Sequence, residues 1–192
     1  MTVKTSKFND ILHKLKIISN KNENSLLNNL LKIPKRDNKI YTPQTHVSVE
    51  NAIHQIDTLY LPNGKGYKYL LVVVDLATSK TDVEPLKSRD SKIVRYALKK
   101  IYSRKILKQP KIIEVDSGSE FKGDFSKYYG NKIHIRVKRT GRHRAMSVAE
   151  AKNKTIGTIL NRYMLATELN TGEQSKAWID ILPKTIELMN KA

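Results

Sequence analysis

The chain has 192 residues, of which 39% are apolar, enough for one well-filled core and a short extension. Its 36 basic side chains outnumber 18 acidic ones, a net charge of +18 that favours a polyanionic partner, nucleic acid ahead of an anionic membrane. The absence of cysteine excludes disulfides and thiolate zinc sites, and no apolar run is long enough to span a bilayer, so an intracellular, soluble protein is expected.

Residues 1–47 read as a helical extension and linker. Phe8, Ile11, Leu12, Leu15 and Ile18 recur at helical spacing, and Leu26, Leu27, Leu30, Leu31 and Ile33 do so again before Pro34. The stretch from about 34 to 48, with Tyr41-Thr42-Pro43, is expected to link this extension to the main domain, residues 48–192.

From residue 50 strand and helix patterns alternate. Residues 52–60 predict a strand, Pro62-Asn63-Gly64-Lys65-Gly66 a hairpin turn, 67–77 a buried strand rich in Val and Leu, and 81–86 a third strand. Residues 91–102 place Ile93, Val94, Ala97, Leu98 and Ile101 on one helical face. Then come a strand over 111–116, a short helix over 120–129 and a fifth strand over 132–137. Ser147 with Glu150 three residues on forms a capping box, opening a helix with Ile156, Ile159, Leu160 and Tyr163. A last helix carries Trp178, Ile181, Leu182, Ile186 and Leu188, with Pro183 expected to bend or interrupt it. The pattern describes an α/β fold, a mixed sheet flanked by helices.

Three acidic residues stand out on this basic background. Asp57 lies in the middle of a predicted strand, where aspartate is disfavoured; a solvent-facing strand position is its plain alternative. Asp116 ends a buried strand, at the place where open α/β sheets present ligand groups, although an aspartate before Ser117-Gly118 also makes an ordinary turn. Glu150 is accounted for by the capping box alone. If the three meet, they offer oxygen ligands from three rigid elements, fit for hard divalent cations and for phosphodiester chemistry. Like charges so placed repel, so the metal-free site should show raised carboxylate pKa values or local disorder.

Between Asp124 and Glu150 no acidic residue occurs, while Lys127, Lys132, Arg136, Lys138, Arg139, Arg142 and Arg144 supply positive charge leading toward Glu150. A solvated basic loop is the bland alternative; the position before Glu150 favours a DNA contact, sequence-independent and salt-sensitive. His54, three residues from Asp57, falls on the opposite strand face and is expected to pack. His143 is a candidate DNA contact, Met146 and Val148 are candidate hydrophobic anchors, and Trp178 is expected in the core or an interface.

Gln55-Ile56-Asp57-Thr58, Asp116-Ser117-Gly118-Ser119-Glu120-Phe121 and Glu150-Ala151-Lys152-Asn153-Lys154 together resemble the catalytic core of retroviral-type integrases and DDE transposases. The stretch from Asn63-Gly64-Lys65-Gly66 through Val74-Asp75 to Glu84-Pro85-Leu86-Lys87 is more similar still to integrases of Maverick/Polinton elements and related large DNA viruses. This resemblance covers about residues 48–190 and implies an RNase H-like mixed five-stranded sheet flanked by helices. It further implies Asp57, Asp116 and Glu150 as catalytic metal ligands for two Mg²⁺ or Mn²⁺ ions, with Asp57 and Asp116 on one and Asp57 and Glu150 on the other.

By the same resemblance Asn153, Lys154, Lys138, Arg139, Arg142, His143 and Arg144 would lie on DNA, the loop of residues 140–147 ordering around it. The partners implied are donor and target DNA and a second copy of the chain, without membrane or zinc, in a host nucleus, a viral replication site or a virion. The activity implied is 3′-end processing and strand transfer. A nuclease that cuts without joining, or a catalytically inactive DNA-binding protein of the same fold, are the alternatives. The spacing from Asp116 to Glu150 is slightly shorter than in retroviral enzymes, and their zinc module and carboxy-terminal DNA-binding domain are missing, so a fragment or minimal form is expected.

Overall fold

In a computed structural model, the structure describes residues 10–12, 14, 15, 47–138 and 147–191. Five strands form one sheet in the order β3-β2-β1-β4-β5: β1 (Ile53–Gly64), β2 (Tyr67–Asp75), β3 (Thr81–Leu86), β4 (Ile112–Val115) and β5 (His134–Val137). β1, β2 and β3 pair antiparallel, and β4 and β5 run parallel to β1. Within residues 47–191 the sheet is accompanied by the helices α1 (Ser91–Ser103), α2 (Asp124–Tyr129), α3 (Ser147–Thr171) and α4 (Trp178–Lys191).

Both faces of the sheet are covered, which is why β2 reads as an unbroken apolar run: Leu70, Leu71, Val72, Val73 and Val74 are all fully buried. Alternation sends Leu71 and Val73, with Ile56, Ile113 and Val115, against Val94, Leu98 and Ile101 of α1 and Phe125 and Tyr129 of α2. Leu70, Val72 and Val74 face Ile156, Ile159 and Leu160 of α3 and Trp178, Ile181 and Ile186 of α4. Ile11, Leu12 and Leu15 join this second cluster, so the described part of the amino-terminal extension is a helical turn over residues 10–12 that braces the main domain. The second predicted helix of the extension, the linker around Tyr41-Thr42 and Arg139 to Met146 lie outside the described residues.

Four details depart from the sequence reading. β1 runs on to Gly64, leaving Lys65 and Gly66 as the turn, with a register shift between Tyr60 and Gly64. The cause is tertiary: Trp178 Nε1 donates to Pro62 O at 2.8 Å, and a Cβ on Gly64 would collide with Lys176 O. β2 stops at Asp75, whose buried carboxylate accepts from Asn51 N, Thr78 N and Thr78 Oγ1 and so makes the following turn. The helix expected over 120–129 is two pieces, a 3₁₀ turn Ser119–Phe121 and α2, separated by Gly123 at φ +60°. Finally, α4 continues through Pro183, which lies inside its second turn.

Candidate active site

The site is built where two strands part. β1 and β4 pair through Ile53↔Ile112, His54↔Ile113 and Gln55↔Glu114, and no further. Beyond Gln55, β1 pairs with β2 alone, so Asp57 and Thr58 stand on an edge that opens toward the segment following β4. Asp116 comes one residue after the end of β4, and Glu150 lies in the first turn of α3.

Gln55 holds these three elements together. Its Nε2 donates to Glu114 Oε2 on β4 at 3.0 Å, and its Oε1 accepts from Ala149 N of α3 at 3.1 Å. The latter bond satisfies one of the orphan N–H groups at the start of α3 from outside the helix. The Ser147 hydroxyl of the predicted capping box lies outside the described side chains. Glu114, also buried, is neutralised by Arg136 at 2.8 Å and Lys138 at 3.1 Å.

The structure brings Asp57, Asp116 and Glu150 close enough to act on one another. The Asp57 carboxyl is pushed up to about 6, first by burial, then by the negative charges of Asp116, Glu150 and Glu120 that face it; the Thr58 N–H works in the opposite direction. Asp57 is fixed by neutral donors: Thr58 N to Oδ1 at 2.7 Å and Asn153 Nδ2 to Oδ2 at 2.8 Å. Asp116 Oδ1 accepts from Gly118 N at 2.9 Å, closing the tight turn after β4. A side chain at position 118 would press on Asp116 Oδ1 and Glu120 Oε2, so a larger residue there would displace both carboxylates.

The chemistry on offer is that of hard oxygen donors: carboxylates from three elements, and beside Asp57 the Asn153 Oδ1, a buried acceptor without a hydrogen-bond partner. Among the described residues, no three His, Cys, Asp or Glu side chains are grouped so that they could hold a metal ion.

The remaining predicted residues divide. Asn153 and Lys154 diverge: Asn153 is buried on Asp57, whereas Lys154 is exposed on the adjoining part of α3. Lys138 is engaged with Glu114. Arg139, Arg142, His143 and Arg144 lie outside the described residues. His54 packs as expected, fully buried with Nδ1 3.2 Å from Tyr102 OH and Nε2 3.2 Å from Asn51 Oδ1; burial lowers its pKa to about 4. Trp178 is in the core, with no exposed surface.

Sequence reasoning missed Glu120. Its side chain is buried, accepts from Thr58 Oγ1 at 3.2 Å, and meets Arg89 Nη1 at 3.3 Å. A second acidic residue four positions after Asp116 was the available signal, but nothing local says that it turns back toward β1. Gln55 was visible only as part of a motif.

With this geometry in hand, comparison with known proteins gives a consistent picture. A model of the family described as integrase core domain matches residues 48–145, a span that includes Asp57 and Asp116 and ends before Glu150. Structures of the HTLV-2 integrase catalytic core domain in complex with magnesium share the fold. The trimeric form superposes with a TM-score of 0.55 at 23% identity, over 72% of this chain and 84% of that one. For the dimeric form the values are 0.54, 24%, 72% and 85%. An uncharacterised transposon-derived protein of Caenorhabditis elegans is 25% identical over 133 residues, 69% of this chain. The chain spans 44% of the length of that relative. No helix among the described residues is long and apolar enough to cross a membrane. With a match over half its length and the five-stranded RNase H-like sheet in place, the chain belongs to the integrase core domain family.

Proposed function

We propose that this protein is a DNA integrase or transposase, which trims a donor 3′ end and joins it to target DNA in a reaction dependent on Mg²⁺ or Mn²⁺. The observation that supports this reading is the place of Asp57 in an integrase core domain: it stands where β1 and β4 part, held by Thr58 N and Asn153 Nδ2, with Asp116, Glu150 and Glu120 within electrostatic reach. An uncompensated cluster of acids has a chemical purpose beside a polyanionic substrate when cations bridge the two. Asp57 and Asp116 would hold one ion and Asp57 and Glu150 the other, a division taken from the family resemblance. Bound there, two divalent ions would supply charge for the attacking and leaving oxygens of an in-line phosphodiester displacement.

The chain's own residues do the positioning. Asn153 and Thr58 N lock the Asp57 rotamer, Gly118 N locks Asp116, and Gln55 fixes α3, and so Glu150, against β1. Lys154, exposed next to the site, and Arg139, Arg142, His143 and Arg144 would contact DNA phosphates; Lys138 would contribute while sharing its charge with Glu114. A second copy of the chain is the expected partner for acting on two donor ends, in a nucleus or at a viral replication site.

A labelled donor-end oligonucleotide incubated with Mg²⁺ or Mn²⁺ tests this. Products longer than the substrate are expected from joining. Shortened products alone would assign a nuclease, and unchanged substrate would leave a DNA-binding protein of the same fold.

A further inference from the structure

On the sheet face covered by α1, a strip of side chains leads away from the strand opening. Thr58 and Glu120 begin it, joined at 3.2 Å, and Arg89 follows at 3.3 Å from Glu120. The Arg89 guanidinium lies over the Tyr69 ring, 5.5 Å from its centroid, with 53% of its side chain exposed. Tyr69 pairs across the strands with Tyr60, ring centroids 5.4 Å apart and edge to face, and Tyr60 is 70% exposed. Tyr60 is the last regularly paired residue before the register shift in β1, on the edge that β4 leaves uncovered.

Each member has spare binding capacity of a definite kind. Glu120 is buried and occupied, so it orients Arg89 without repelling an anion in the open. A guanidinium has five N–H donors in a plane; one of Arg89's meets Glu120, and the rest of the fork suits a phosphate. Tyr60 presents a ring to solvent, already braced by a second ring, the arrangement on which unpaired bases stack. The chain's charge of +18 selects a polyanion, and the strip is continuous with Asp57 through Thr58.

We infer that Tyr60, Tyr69 and Arg89 form a seat for one unpaired nucleotide of the DNA next to the reacting phosphodiester, with its base on Tyr60 and its phosphate on Arg89. This deepens the proposed function and rests on it for the identity of the DNA, whereas binding itself can be read without chemistry.

The test uses the full chain without divalent cation and two probes, a blunt duplex and the same duplex with a short single-stranded extension carrying 2-aminopurine. Wild type is expected to prefer the extended probe and to quench its fluorescence. Tyr60→Ala should weaken the extended probe about tenfold, abolish the quench and leave the blunt duplex unchanged, while Tyr60→Phe keeps both. Arg89→Lys, which keeps charge but not the planar fork, should lose affinity for the extended probe alone. Thermal melting should not move in Tyr60→Ala, since so exposed a side chain packs little. Unaltered binding and quenching in Tyr60→Ala, or equal losses on both probes, would overturn the inference. If stacking holds but the wild type makes no processed or joined product with Mn²⁺, the enzymatic reading falls alone; if product forms and Tyr60→Ala behaves as wild type, only the seat is lost.

Discussion

Two groups of acids lie on the same sheet, and the chain treats them in opposite ways. On the edge strand β3, Asp82 and Glu84 are buried and matched by cations: Arg104 Nε and Nη2 grip the Asp82 carboxylate at 2.9 and 3.0 Å, Arg104 Nη1 reaches Glu84 at 2.6 Å, and Lys100 takes the other Glu84 oxygen at 2.6 Å. Where β1 and β4 part, Asp57, Asp116 and Glu150 face one another with no ion pair among the described residues, and Asp57 is held by two neutral donors. A chain with 36 basic side chains is not short of partners. Burying Asp57 beside these acids without a cation costs stability, and under the proposed function a divalent ion from solution would offset that cost.

Breaking each group in turn separates the two cases. The largest expected effect is on chemistry: Asp57→Asn or Asp116→Asn should remove several kcal/mol of charge stabilisation, on the order of a thousandfold in strand-transfer rate, while the fold stays intact by circular dichroism. Activity comparable to wild type in both would dissolve the contrast. Next, Arg104→Ala should cost about 3 kcal/mol in a denaturant melt, since it strands two buried carboxylates, at the low end for such a loss because Arg104 is one-third exposed and Lys100 remains.

Asp57→Asn should have the opposite sign in the metal-free protein. The folded Asp57 carboxyl titrates near 6, against 3.8 without the fold, so the native state holds the extra proton between those values and loses stability as pH rises through that window. At pH 7 the variant should therefore be more stable than wild type by up to about 3 kcal/mol, a gain that vanishes below about pH 4. Adding Mn²⁺ should reverse the ranking, raising the melting temperature of wild type but not of the variant, and less so as pH falls through 6. A melting curve indifferent to Mn²⁺ would remove the proposed ion. Smallest, Asn153→Ala should weaken Mn²⁺ binding or activity by about 10- to 100-fold by freeing the Asp57 rotamer; calorimetric titration reads the affinity directly.

The fold was largely legible because its strongest signals are periodic. The unbroken run in β2 and the apolar stripe of α1 announce elements buried on both faces or on one, and the three acidic motifs fall on the elements expected to carry them. What escaped is set by partners far away in sequence. β1 outruns its prediction because Trp178, more than a hundred residues on, donates to Pro62 O. The break at Gly123 needed a left-handed backbone that glycine permits but does not announce. Glu120 belongs to a recognisable motif, yet its direction is decided by Thr58 and Arg89, on two other elements. That Asp57 would feel Asp116 and Glu150 could be expected; that Gln55 would tie β1 to β4 and α3 could not.

The Gln55 amide has a bearing on how this fold tolerates change at its acids. Its bonds to Glu114 and Ala149 tie three elements through an uncharged group, and neither bond involves Asp57, Asp116 or Glu150. Substituting one of those three acids therefore leaves the bonds that dock α3 and β4 on β1 in place.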